Sequence, residues 1–594
     1  MRSSPHFPKV TLSLLLIIAF SHPVATLDRS SASPVKNFDG PAELPREFVQ
    51  SSLKETPAPG KTWTLHAGDN LQQILDKAAC GDIVELQAGA TFTGNVVVPA
   101  KGCDDSHWII LRTSAPDSSL PAEGTRLTPC YAGVSSLAGR PRWNCSSVTN
   151  VLAKIEFNES AGSGPVTFDS GANHYRLIGL EVTRSASPAT VFDFIRFSGP
   201  ADHIVFDRLW VHGTAQDESV RGIQLGQSRY VAVVDSFFTD FHCVSRSGAC
   251  ADAQAICGGI GDGPMGPYKI VNNFLEASGE NIMFGGGRGT ATPQDIEVRH
   301  NHMFKPMTWM RGQPGYVGGK NGDAFIVKNL FELKNAQRVL LDGNILENTW
   351  GGFTQVGFAI LLTPKNPAGC PVCQVTDVTL RYNSISHVGS GLQIANALSD
   401  NGSALDGQRY SIHDDVIDDI DGRKYGGPSE LAQISVSAGA PLLQNITINH
   451  ITAFPSHMLF LIGNMVATSR PMKNFVFTNS IVNAGSAPVW STGGGPGNCA
   501  FHDKPLITFK ACFGGYTFAA NAIIASSSAY PPADWPDHNF FPASAAAVRF
   551  VNYNNGNGGD YRLQASSPYK GKGTDGKDLG ADVDAIQSAV AGAE

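Results

Sequence analysis

Charged side chains are sparse in this chain, 16% of residues against roughly 25% in an ordinary soluble protein. No long run of Lys or Arg occurs, and the net charge of -8 offers no basic field to a nucleic-acid backbone, which excludes nucleic acid as a partner. Long apolar runs are missing as well. Only "VTLSLLLIIAF" near the start stands out; it follows Arg2 and Lys9 and falls short of the roughly 18 residues a membrane span needs. It reads as an export signal over residues 1–25, with a secreted, extracellular or periplasmic destination and no membrane span in the remainder. Helix-favouring runs are scarce after the first hundred positions, while Gly numbers 63, so strands and turns must dominate.

Cysteine is present in a pattern that argues for disulfides. The spacing of the 11 residues suggests local pairs, Cys80 with Cys103, Cys130 with Cys145 and Cys499 with Cys512. The "CPVC" at Cys370 and Cys373 has no second CxxC or HxxxH to complete a zinc site and is read as a loop disulfide. Cys243 is paired with Cys250, leaving Cys257 as a buried thiol. No cofactor or metal motif appears. The acidic "HDDVIDDIDG" lacks the alternate spacing and terminal Glu of a dedicated calcium loop, so it is read as a solvated turn.

Residues 26–62 are rich in Pro and Ser and read as a linker or surface strap. An amphipathic helix is predicted from Leu71 to Ala79, and after it the chain repeats a two-strand unit. First strands include "FIRFSG" (194), "GIQLGQ" (222), "NIMFGG" (281), "LFELKN" (330) and "LQIANA" (392). Second strands carry the anchors Asp207, Asp235, Asn273, Asn301, Asn344, Asn383, Asp415, Asn449 and Asn479. Short period-2 strands with no helices between them cannot form a doubly wound sheet, but they can form a solenoid whose coils bury their inward residues on one another. Asn or Asp at a recurring turn would satisfy backbone groups and tolerate a left-handed conformation. The predicted architecture is all-β: a right-handed parallel β-helix over residues 63–551, capped by the short N-terminal helix, with a tail at 552–594. A monomer is expected.

From about Trp63 to Ile586 the chain resembles the pectin-lyase-like right-handed parallel β-helix superfamily, and within it an exported bacterial subgroup. The likeness is carried by "NLQQILDKAACGDIVELQAGATFTG", the Asn-bearing coils and the closing "DYRLQASSPYKGKGTDGKDLGADVDAI". The resemblance implies fold more than chemistry, because lyases, hydrolases, epimerases and binding proteins share it. The "WIDH" type of pectate-lyase sequence is absent, as is the polygalacturonase set of Asn-Thr-Asp, Gly-His-Gly and Arg-Ile-Lys.

Strand alternation locates a candidate site. With Ile223, Leu225, Ile282, Phe284, Phe331, Leu333, Leu392 and Ile394 inward, the outward residues are Arg196, Gln224, Gln254, Asn281, Glu332, Lys334 and Gln393. Such a ladder, with coils about 4.8 Å apart, can follow an extended extracellular polysaccharide, the expected partner. Lys328, just before the strand, and Trp309, in the loop from Lys305 to Asp323, are assigned to substrate binding. Trp309, Tyr316 and Trp350 are each equally suited to packing under that loop. His300, His302 and His387 are read as turn or core residues. For a polyuronate lyase, Lys334 would be the base, Arg338 the partner for substrate charge, and Glu332 the residue that argues against it by keeping Lys334 protonated. A glycoside hydrolase would use Glu332 with a second acid such as Asp323, and a non-catalytic glycan-binding scaffold would use the ladder alone.

Overall fold

A computed structural model describes residues 37–594 apart from 187–188, 245–249, 251, 354, 367, 403, 465–469, 492–497, 502–503 and 527–529. The expected export signal and the first part of the linker lie outside the described residues. The described residues form one compact unit.

The two-strand repeat becomes a three-strand coil. Among the described residues a 14-stranded sheet begins at Thr62–Leu65 and ends at Phe513–Ala519, a 13-stranded sheet runs from Thr91–Thr93 to Ala522–Ile524, and a 12-stranded sheet runs from Val96–Val98 to Val489–Ser491. Every strand in these three sheets pairs in parallel with its counterpart in the neighbouring coil, which makes the chain a right-handed parallel β-helix. One apolar core runs through it. The eight residues assigned inward by alternation are all buried there, Phe331 and Leu333 included. Helix Leu71–Lys77 closes the N-terminal end: Asn70 accepts a hydrogen bond from the Gln73 backbone N–H, and Leu71 and Leu75 join the core. All five expected disulfides are present, and Cys257 is the buried free thiol.

The recurrent anchors separate into neighbouring columns at the corner between the first and second sheets. One column, Arg208, Asp235, Asn272, His300, Gly343, Tyr382, Asp414, His450, Asn479 and Ala520, is left-handed throughout, with φ from 49° to 65°. This bend sets the path of the chain. The next column contains Ser236, Asn273, Asn301, Asn344, Asn383 and Asp415, all buried. Each amide oxygen accepts the backbone N–H of its counterpart one coil earlier, as in Asn301 N to Asn344 Oδ1 at 3.0 Å and Asn344 N to Asn383 Oδ1 at 2.9 Å. The Nδ2 of Asn344 donates to the Val298 carbonyl at 3.0 Å. Asp207 and Asn449 stand two positions before the asparagine column, and Asp235 and Asn479 one position before it, so the anchors read from sequence mix columns with different jobs.

Among the described residues other segments cover the outer faces unequally, and on the third sheet only the edge at Phe192 and Val220 is covered, by Cys243, Cys250, Ile326 and Phe353. Residues 37–60 form a strap on the first sheet, where Asp39 meets Arg381 at 2.8 Å, Arg46 N donates to Asp295 at 2.8 Å and the Ser51 carbonyl accepts from Arg176 at 2.8 Å. An excursion around Leu120–Leu152 covers Trp210, Phe237, Phe274 and Phe304 on the second sheet. The C-terminal segment follows the corner between those sheets, where Asp575 meets His450 at 3.0 Å and the Ala589 carbonyl meets His300 at 2.9 Å. The third sheet's outer face is where the polar outward column stands.

Asn344→Ala leaves the buried Asn301 N–H without its acceptor, so a loss of about 2–4 kcal/mol is expected in urea unfolding. Asn445→Gly, which removes an exposed side-chain bond to Asn474 and keeps the left-handed φ of 57°, should cost less than about 1 kcal/mol. Equal losses would overturn the dominant role assigned to the buried ladder.

Candidate functional site

At the corner leading into the third sheet, two consecutive residues turn inward. Phe194 and Ile195, Ala255 and Ile256, and Leu330 and Phe331 are all core pairs. Strict alternation fails there, and Asn281 is inward as a result: its Nδ2 donates to the Leu275 and Phe304 carbonyls at 2.6 and 2.9 Å, and its Oδ1 accepts from buried Lys305 at 3.1 Å. The ladder assignment of Asn281 is therefore corrected.

Two outward columns flank this corner. The first holds Asp193, Arg221, Gln254 and Glu280, and the second holds Arg196, Gln224, Cys257, Met283, Glu332, Leu361, Gln393 and Gln433. Gln254 thus pairs with Arg221 rather than Gln224, and the polar ladder is interrupted by Cys257, Met283 and Leu361. Arg196 is half-buried and donates to Thr167 at 3.2 Å, Gln224 is half-buried, and Gln393 donates to Gln433 at 3.0 Å.

Where the columns meet, charges collect. Glu280 and Glu332 are each 0% exposed, and their carboxyl groups are close enough to set one another's charge. Gln254 accepts from Arg221 Nε at 3.0 Å and donates to Glu280 at 2.8 Å; Asn329 donates to Glu332 at 2.6 Å. Lys334 Nζ lies 3.0 Å from Glu332, and Lys328 Nζ lies 3.6 Å from Glu280 and in contact with Asp252. The Lys334 and Asp252 side chains, 18% and 31% exposed, open the cluster to solvent.

These groups set one another's protonation. Burial, reinforced by the charge of Glu332, pushes Glu280 up to about 8, so it carries the proton of the pair. Burial opposes ionisation of Glu332, but the two lysines and the protonated Glu280 carboxyl outweigh it and hold this carboxyl below its ordinary range. Burial also works against the Lys334 ammonium, and Glu332 and Glu280 overcome it, raising its pKa. Lys328 differs. Burial and the neighbouring Lys334 bring it down to about 8.

Other sequence assignments change. Glu332 faces away from the internal core as expected, but it is enclosed rather than solvated. Arg338 lies on the first sheet, paired with Asp295 at 2.7 Å and Gln294 at 2.6 Å, because the turn at Asn335 carries the chain off the third sheet before it. Trp309 is 1% exposed and packs edge-on to Phe325 and His242, which makes it a support for its loop rather than a sugar platform. That loop sits on Val244 and pairs Lys320 with Asp217, away from Glu332 and Lys334. Glu280 and Asp252 were missed: Glu280 precedes "NIMFGG", and Asp252 follows the Cys243–Cys250 excursion that obscures the strand start.

No family model matches the chain, and no curated protein does. Solved structures similar to it include an alginate lyase from Paenibacillus sp. str. FPU-7 (12% identity, 78% of this chain and 99% of that one, TM-score 0.29). Pectate lyase Pel9A gives 11% identity over 89% and 97% of the two chains with a TM-score of 0.30, and a Yersinia enterocolitica family 28 exopolygalacturonase gives 11% over 78% and 78% with 0.33. The likeness lies in the parallel β-helix. The chemistry of the site rests on its own side chains.

Because folded Glu280 keeps a proton that the unfolded chain releases near pH 4.5, its contribution to stability is complete below that pH and is lost as pH rises through about 8. Gln at this position stays neutral and can still accept the Gln254 hydrogen bond. Glu280→Gln should therefore gain about 1–3 kcal/mol over the parent at pH 9 and lose that advantage by pH 4. Parallel stability–pH curves for the two proteins would contradict the protonated assignment.

Proposed function

We propose that this is a secreted carbohydrate-active β-helix protein, a polysaccharide lyase that acts on a uronate-containing chain laid across the third sheet. The observation that carries the reading is the pair of lysines with opposed tendencies beside an enclosed acid pair. Proton abstraction next to a uronate carboxylate needs a base that is neutral near working pH and a fixed cation for the charge that develops. Lys328, brought down to about 8 by burial and Lys334 while the touching Asp252 carboxylate acts in the opposite direction, suits the first role, and Lys334, held protonated by Glu332, suits the second. The roles expected from sequence are thereby redistributed: Lys334 binds the carboxylate and Lys328 takes the proton.

In the proposed step Lys328 Nζ removes the proton α to the carboxylate, Lys334 offsets the charge building on the carboxylate oxygens, and that electron pair forms the C=C of an unsaturated uronate as the glycosidic C–O bond on the adjacent carbon breaks, the departing oxygen taking a proton from water. Arg196 and Gln224 on one side and Gln393 on the other would hydrogen-bond flanking sugars. The five disulfides fit an oxidising exterior, and among the described residues no helix is long and apolar enough to cross a membrane. A glycoside hydrolase needs two carboxyl groups that flank the scissile bond about 5 Å or more apart. Glu280 and Glu332 are both fully enclosed and do not flank an open site, which argues against that alternative.

The test is a panel of uronate and neutral glycans assayed for unsaturated products by ultraviolet absorbance and for reducing ends. Activity should appear on a polyuronate, rise with pH through about 8, and fall roughly 100-fold or more in Lys328→Gln. Asp252→Asn, which removes the carboxylate touching Lys328, should move the rising limb to lower pH. Reducing ends without absorbance would indicate hydrolysis, and glycan binding without either signal would indicate a non-catalytic scaffold.

A further inference from the structure

The outer face of the first sheet carries a different chemistry near the N-terminal end. His174 and His203 occupy matching positions in successive coils, since Asn173 pairs with Asp202 in the residue before each. Both are left-handed, with φ of 55° and 53°, and their rings stack 4.6 Å apart at an interplanar angle of 3°. Asp105 reaches them from the loop that follows the Cys80–Cys103 disulfide, with Oδ1 3.1 Å from His174 Nε2. One donor atom from each of Asp105, His174 and His203 lies within 4.8 Å of the others.

We infer that these three side chains bind an exchangeable first-row transition-metal dication of the zinc class. Two imidazoles and one carboxylate suit zinc, cobalt, nickel or copper and are a poor set for calcium or magnesium, which prefer oxygen. A supporting contact outside the donor set points the same way. His203 Nδ1 lies 2.9 Å from Asp202 Oδ1, an arrangement that keeps the proton on Nδ1 and leaves the Nε2 lone pair free for a cation. Trp108, 3% exposed, walls the site with its edge toward both rings at 5.0 and 6.3 Å. Imidazole lone pairs lie in the ring plane, so the parallel rings must turn for both to reach one ion: His203, stacked between His174 and Tyr230, has to swing out of that stack toward Asp105. Asp105, 86% exposed, can follow the ring, and His203, 33% exposed, gives up its Tyr230 contact on binding. Water would fill the remaining coordination position. The site lies on a different sheet from the lysine cluster and stands whether or not the lyase reading does.

Untagged, chelator-treated protein should be titrated with zinc by calorimetry and with cobalt by visible absorption. The expected result is one equivalent bound, with intense d–d bands marking imidazole ligation by cobalt in a low-coordinate site. Asp105→Asn alters an exposed side chain and His203→Ala a half-buried one outside the internal core, so both should keep the fold, verified by circular dichroism, while each weakens binding, His203→Ala at least roughly 100-fold. Asp202→Asn leaves the three ligands in place and should weaken it about 10-fold. Absence of stoichiometric binding, or equal affinity in folded His203→Ala, would overturn the site.

Discussion

Everything in this molecule depends on what one coil can accept about 4.8 Å from its own repeat. In a parallel in-register stack, a residue's neighbour is its counterpart in the next coil, so each column must be compatible with itself along the whole sheet. Apolar columns satisfy this by packing, as Ile195, Ile223, Ile256, Ile282 and Phe331 do. Asparagine satisfies it because its side chain both accepts and donates: Asn301 receives a backbone N–H from Asn273 while its own N–H goes to Asn344. A carboxylate in the same column can only accept. Asp415 ends the run, and burial drives its pKa up to about 7.

Charge obeys the same rule. On the first sheet opposite signs alternate between coils, Asp295 with Arg338 and Asp377 with Arg409, each bridged by short hydrogen bonds. Aromatic rings stack where they recur, as in Phe237 on Phe274. The lysine cluster departs from this pattern. Glu280 and Glu332 belong to adjacent columns brought together by the corner, so neither finds its counter-charge in its own column: Glu280 faces Asn329, and Glu332 faces Met283 on one side and Leu361 on the other. Enclosing two carboxyls there is unfavourable unless one stays protonated and cations approach the other. Lys334 and Lys328 do approach, and the arrangement leaves groups titrating where chemistry near neutral pH can use them.

Much of this was legible in the sequence because period-2 alternation is a local property. Phe331, Leu333, Ile282 and Phe284 could be placed inward from their neighbours alone. The corner could not be seen that way: Leu330 and Phe331 are both apolar, which alternation does not anticipate, and the same doubling sends Asn281 into the interior. Register was the second obstacle. The disulfide excursion between Cys243 and Cys250 separates Gln254 from the preceding coil, and nothing in the spacing says that Arg221, not Gln224, is its partner. Arg338 lies at the start of the next strand as its sequence suggests, but the spacing does not show that this strand lies on another sheet, where Asp295 and Gln294 occupy its guanidinium. Relations across coils depend on three-dimensional closure, so Glu280 and Asp252 carried no local signature beside Glu332.

The covers decide where function can reside. The strap binds the first sheet through Asp39 and Arg46, the excursion near Leu127 buries aromatic residues on the second, and the tail holds the left-handed corner between them through Asp575 and Ala589. Each cover satisfies side chains that would otherwise face solvent as a long repetitive surface, and each therefore removes that surface from contact with an extended ligand. Arg338 shows the consequence: its guanidinium is committed to Asp295, which also accepts the Arg46 backbone N–H of the strap. On the third sheet the described cover lies over Phe192 and Val220, and the half-buried Arg196, Gln224 and Gln393 remain in an outward column on either side of Glu332. A solenoid makes every face regular; what distinguishes one face as a site is that the rest of the chain has not already used its hydrogen-bonding groups.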